Sequence, residues 1–239
     1  MRYVRIFAVV LGLVALGLLF TSGPLTRAGA WGWQVGLKVF AWAAYAGLAA
    51  AGVGLVLVVL LAVPRWRRHA WLPVAVLCAG LVAAAPPMMM LEKAKSVPRI
   101  HDITTDPFDP PNFVALMPIR MTVPNGAAYG GMKIAEQQQK GYPDIKSLVM
   151  KAPPAEAVQK AIDAARASGW EIISTDAPAG RIEATDTTAW FGFKDDIVVR
   201  VRAEPSGGSR VDVRSVSRVG LSDIGANAKR VREFLARLA

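Results

Sequence analysis

Three long stretches without a charged residue occupy the first half of the chain: Ile6–Thr26, Val39–Pro64 and Ala70–Leu91, of 21, 26 and 22 residues. A hydrocarbon core about 30 Å thick takes about 20 helical residues at about 1.5 Å rise, so each stretch is long enough to cross a bilayer as one helix. Trp31, Trp33, Trp66 and Trp71 stand at the ends of the stretches, where amphipathic rings favour the headgroup layer. The rival, a helical hairpin buried in a soluble core, needs three helices apolar on every side in a small protein. We therefore expect an all-α transmembrane region of three helices over residues 1–92.

The first stretch has a second reading. Arg2 and Arg5, the run Ile6–Phe20 and Ala28-Gly29-Ala30 follow the three-part order of a secretory signal. A long link containing Arg27 separates the run from the small residues, which favours a retained helix. Orientation follows from the loops. Arg2, Arg5, Arg65, Arg67 and Arg68 lie on one side, against Arg27 and Lys38 on the other. The positive-inside bias puts the N-terminus in the cytoplasm and, after three crossings, everything beyond Leu91 outside it. The expected location is a bacterial inner membrane, multi-pass, with a periplasmic C-terminal domain.

Charge supports this division. Residues 1–96 hold 9 Lys/Arg and 1 acid, whereas residues 97–239 hold 19 and 17, so nearly all of the +10 lies beside the apolar runs. The polar half is close to neutral, which excludes nucleic acid as an expected partner and leaves the lipid bilayer, with an envelope lipid or protein as a further one. One cysteine cannot bridge within the chain; Cys78, inside the third stretch, reads as a small apolar packer. Ala43, Gly47 and Ala51 recur every four positions and permit close helix contact. No stretch carries an internal ionisable residue of the kind a proton relay needs, which argues against a transporter.

Pro86-Pro87 should end or kink the third helix. A Pro-rich segment over residues 93–125, with Pro98, Pro107, Pro110, Pro111, Pro118 and Pro124, reads as extended chain lying over a folded domain at 126–239. There the pattern gives helices at Met132–Lys140 and from Pro154 to Gly169, with a short strand near Ser147–Met150 before the second. Strands follow at about Trp170–Thr175, Arg181–Ala189, Ile197–Ala203 and Arg210–Ser217. A last helix is capped by Ser222, with Ile224, Ala228, Val231, Leu235 and Leu238 as its stripe. Short links make the strands antiparallel neighbours, so the expected fold is an α+β two-layer domain: a four-stranded meander with flanking helices.

Alternation puts Ile197, Val199, Val201, Val211 and Val213 on one face, and Arg200, Arg202, Asp212 and Arg214 on the other, with Arg181 and Glu183 nearby. We read that second face as a solvated surface with cross-strand ion pairs, or else as a site for a carboxylate or phosphate. Asp102, Asp106 and Asp109 lack the spacing and glycine of a calcium loop, and no set of His and Cys is available for zinc, so no metal is expected. His101 is the only exported histidine, no serine sits in a nucleophile elbow, and Asp195-Asp196 read as turn formers. No catalytic residue is assigned, and no phosphate loop or other pattern asks for a cofactor. What stands out is a dense polar set, for binding or for structure: Arg99, His101, Asp102, Thr104, Thr105 and Asp106 early, and Arg214, Ser215, Ser217, Arg218, Asp223 and Asn227 late.

The blocks IHDITTDP, FGFKDDIVVRVR and VDVRSVSRVGLSDIGANAKRVREFL resemble the DUF1499 family of uncharacterised bacterial and plastid proteins, over about residues 97–238. The three-helix front is similar to that of membrane-attached bacterial members. The resemblance implies no assigned activity. Many relatives carry a Cys in a P-N-C-V-S-S-like run where this chain has Pro111-Asn112-Phe113-Val114-Ala115-Leu116, so a thiol mechanism cannot operate here. The two polar blocks, Ile100–Asp106 and Arg214–Asn227, are expected to meet, with Asp102 or Asp106 facing Arg214 or Arg218. The leading expectation is a non-enzymatic membrane protein displaying a periplasmic module that binds an envelope lipid, glycan or protein. Its rivals are an envelope enzyme acting on phosphorylated or acyl substrates through His101, Asp102 or Asp106 and Arg214/Arg218, and a scaffold subunit of a membrane complex.

Overall fold

The computed structural model describes residues 2–64, 67 and 69–239. Arg65 and Arg68, on which part of the orientation argument rests, and Trp66, expected at the headgroup layer, lie outside the described residues. The chain divides into two compact units: residues up to Lys93 with the turn Ala189–Gly192, and Ala94–Thr188 with Phe193–Ala239.

The first unit contains α1 (Arg2–Arg27), α2 (Trp33–Leu60) and most of α3 (Trp71–Ser96). All three are long and apolar enough to cross a membrane. They pack through small residues. Gly47 and Ala51 of α2 meet Gly80 and Ala84 of α3: a Cβ on Gly47 would lie 2.7 Å from the Gly80 carbonyl oxygen, and one on Gly80 would collide with the Ala51 amide nitrogen. Bare backbone at these positions is what allows the helices so close. Within the same unit, Phe191 stands edge-on to Phe40 at 5.4 Å. Of the two outcomes expected at Pro86-Pro87, an end or a kink, the end is overturned: α3 continues to Ser96, since two missing amide donors are a local loss that a long helix survives. Cys78, expected as a packer between helices, is exposed on the outside of α3.

The second unit is the α+β domain. Strands β3 (Glu171–Asp176), β4 (Arg181–Thr187), β5 (Lys194–Ala203) and β6 (Ser209–Ser217) form the antiparallel meander. Two three-residue strands extend it: β1 (Asp102–Thr104) and β2 (Leu148–Met150) pair with successive stretches of β6. Helices α6 (Pro154–Ala167) and α7 (Ala226–Leu238) cover one face. Pro154 suits the first turn of α6, and Ala157, Val158, Ala161, Ile162 and Ala165 make its buried stripe. The core joins these to Ile182, Ile197, Val199, Val211 and Val213, and stacks Trp170 on Phe234 at 4.8 Å.

The other sheet face is where the domain departs from two layers. It is not solvated. The segment between β1 and α5 (Met132–Gly141), including the one-turn helix α4 (Met117–Arg120), lies across it as a strap. Phe113 and Leu116 of the strap bury against Val198 and Val216. Asp212 and Arg214 are wholly buried and Glu183 is 1 % exposed, while Arg181, Arg200 and Arg202 keep part of their side chains toward solvent. An extended, proline-rich chain has few internal hydrogen bonds, so its amides must find partners on the sheet. They do: the Val114, Ala115 and Leu116 amides donate to the Glu183 carboxylate at 2.8–3.0 Å.

The last helix also starts later than its sequence pattern indicates. Ser222 and Ile224 precede it, and α7 begins at Ala226 after Gly225, whose φ of 79° suits glycine. Ile224 also has a positive φ, 53°, a strained state for a β-branched residue. Asp223 holds the turn by accepting the Gly225 and Asn227 amides at 2.8 and 3.0 Å.

Candidate functional site

The polar cluster is built around β6 and β5, whose alternation sends successive side chains to opposite faces. Under the strap, Asp102 of β1 receives two hydrogen bonds from Arg214, at 3.0 and 2.8 Å. The Arg214 guanidinium also lies 5.5 Å from the ring centroids of both Phe113 and Tyr129, a cation held between two π faces. Phe113 serves a second cation, Arg120, at 5.4 Å. Asp196 takes hydrogen bonds from Arg120 at 3.2 Å, from Arg218 at 2.8 Å and from the Thr185 hydroxyl at 2.9 Å. Arg120 further donates to the carbonyls of Asn125, Gly126 and Val216, which fastens the strap.

Nearer solvent, Asp212 takes Arg200, Arg202 and the Ser147 hydroxyl. Asp106 and Asp109 close over the same two arginines. Arg202 and Arg200 hold the Asp109 carboxyl below its usual range.

On the helix side, Asn227 is the hub. Its Oδ1 accepts from the Ser215 hydroxyl at 2.7 Å and from Arg230, while its Nδ2 donates to the Ser217 hydroxyl and to the His101 carbonyl, both at 3.0 Å. Arg230 reaches Asp195 at 2.7 Å and Asp186 at 2.8 Å. Gln138 of α5 pairs its amide with the backbone of Thr104, accepting from the amide and donating to the carbonyl, much as a neighbouring strand does.

Burial shifts protonation at further groups. Burial, aided by Asp102, pushes the Tyr129 phenol up to about 12. Burial also raises Asp223, against the two amides that it caps. Desolvation draws the Arg120 guanidinium below its ordinary value, and Asp196 opposes that.

The two polar blocks thus meet. Asp102 faces Arg214, whereas Asp106 faces Arg200 and Arg202, and Arg218 turns to Asp196. Thr105 ties the edge together, donating its amide to Val213 and accepting the Val213 amide. His101 enters through its backbone carbonyl, and Arg99 is exposed beside the cluster. Sequence reasoning missed Arg120, Arg230 and Gln138, and misread Asp195-Asp196. Those two are strand residues of β5, registered opposite Ser217 and Val216. No local pattern marked them: three consecutive charged residues, Lys194 to Asp196, interrupt the alternation ahead of Ile197, and carboxylates are poor strand formers until an arginine meets them. No group of three or more His, Cys, Asp or Glu that could hold a metal is found among the described residues.

A family model described as protein of unknown function, DUF1499, matches residues 102–238. No curated protein matches the chain.

Proposed function

We propose, for a chain that belongs to the DUF1499 family of proteins of unknown function, that it displays a rigid α+β binding module on the periplasmic side of a bacterial inner membrane. The module's partner in this reading is an envelope lipid, glycan or protein. The observation that carries it is the state of the polar cluster: its carboxylates and guanidiniums are spent on one another, with Asp102, Asp196, Asp212 and Arg214 all but buried. An acid/base site needs a proton-transfer group within reach of a substrate. Here the carboxylates are closed off by the strap, so the cluster acts as a lock that fixes one surface for recognition. The Gly47/Ala51 face of α2 is occupied by α3, which leaves it unavailable to further membrane subunits.

Two measurements test the reading. A reporter fused after Ala239 should be active on the periplasmic side; activity inside the cell overturns the location. Purification in mild detergent, followed by lipid and protein mass spectrometry, should return one partner at constant ratio. Purified protein that turns over phosphate or acyl esters, with loss of that activity in His101→Ala, would replace the binding module by an enzyme.

A further inference from the structure

Four exposed side chains gather on the loops at one end of the sheet, where β5 begins and β6 ends. Met121 is 78 % exposed and Leu221 66 %, Ile119 is 39 % exposed, and Lys194 is exposed as well. Their loops are fastened to one another. The Arg218 amide donates to the Lys194 carbonyl at 3.0 Å and the Asn125 amide to the Arg218 carbonyl at 3.2 Å. Asn125 Nδ2 donates to the Gly220 carbonyl at 2.8 Å, and the buried Arg120 guanidinium grips the carbonyls of Asn125 and Gly126. The turn after α4, the Gly220–Leu221 loop and Lys194 are therefore parts of one fixed surface. Large apolar side chains presented together on polar loops mark a surface with an occupant.

We infer that this surface docks onto the lipid headgroup layer of the bilayer that the three helices span. Two observations name lipid as the occupant. The first is chain length: α3 ends at Ser96 and β1 begins at Asp102, and the five residues between them reach at most about 17 Å. A bilayer surface is thus always at high effective concentration beside the domain. The second is chemistry: unbranched and branched apolar tips beside a lysine suit the boundary between acyl chains and anionic headgroups. The inference rests on the spanning part of the proposed function and adds a contact to it.

The full chain carrying Cys78→Ala, reconstituted in bilayers containing anionic lipid, provides the test. Spin labels on Met121→Cys and Leu221→Cys should collide more with lipid-soluble oxygen than with a water-soluble nickel chelate. A label on Val149→Cys, exposed on β2, should show the reverse and report that the domain is folded. Lys194→Gln should weaken docking about fivefold on anionic bilayers, the loss of one lysine near a charged surface. Labels at 121 and 221 as wet as the label at 149 overturn the inference. Dry labels in lipid-free detergent, with dipolar broadening between copies, also overturn it and assign the surface to a second copy of the chain. Neither result touches the reporter or co-purification readouts, so the two ideas fail separately.

Discussion

Adjacent in sequence, Asp195 and Asp196 point to opposite faces of β5, so that one meets Arg230 beneath α7 while the other meets Arg120 and Arg218 beneath the strap. Asp196 is fully buried. Removing it leaves two guanidiniums desolvated and short of a counter-charge, and Asp196→Ala should destabilise the domain by about 3–5 kcal/mol in a denaturant titration. Glu156→Ala, which breaks an exposed pair with Lys160, should change stability by no more than about 0.5 kcal/mol. Asp223 adds a pH term. Burial raises it above 3.8, so the folded domain binds its proton more tightly than the unfolded chain. The stability this contributes is complete below pH 3.8 and is lost as pH rises through the raised folded value. Asp109 and Asp144, held low by Arg202 and Arg232, slope the other way. The melting temperature of wild type minus that of Asp223→Asn should therefore fall as pH rises from about 3 to about 7. A wild type that gains on the variant as pH rises would contradict the raised value.

Among the elements, β6 does the most connecting work. One edge carries β5 throughout, and the other carries β2 and then β1, with Thr105 bridging the step between them. The strap is the opposite kind of element: it has almost no regular structure and is held by its borrowed partners, Glu183 for its amides and Asp196 for Arg120. Helix α3 shows a third situation, where a position matters for lacking a side chain. Gly80→Leu should force α2 and α3 apart and cost about 1–3 kcal/mol of overpacking, read as earlier loss of helical signal on titration of the detergent-solubilised protein with a denaturing detergent. Gly17→Leu, where a Cβ meets nothing within 4 Å, should leave that midpoint unchanged.

For the whole molecule, the division into two units places the main apolar core, the strap and the polar cluster together in one of them. A fragment of residues 94–239 should accordingly fold by itself and unfold in one cooperative transition with coincident far-ultraviolet and tryptophan signals; two separated transitions would show that the strap does not belong to the same folding unit. Most of the elements were legible from sequence. Charge-free length marks the three helices long and apolar enough to span, period-two alternation marks β5 and β6, and the 3.6 period with Pro154 marks α6, because each is a property of neighbours along the chain. The family blocks led to the expectation that the two polar runs meet, and Asp102 on Arg214 is where they do. What sequence left open was decided at long range. Nothing local tells Arg200, Arg202, Asp212 and Arg214 whether water or another segment covers them. Nothing in a proline-rich run marks Arg120 as the residue that fastens it. Sequence by itself determined the longer helices and strands and which helices are long and apolar enough to span a membrane, since hydrophobic period and backbone preference act over a few residues. Only the tertiary structure decided that the charged sheet face is an interior, because burying a charge depends on which distant partner arrives to neutralise it.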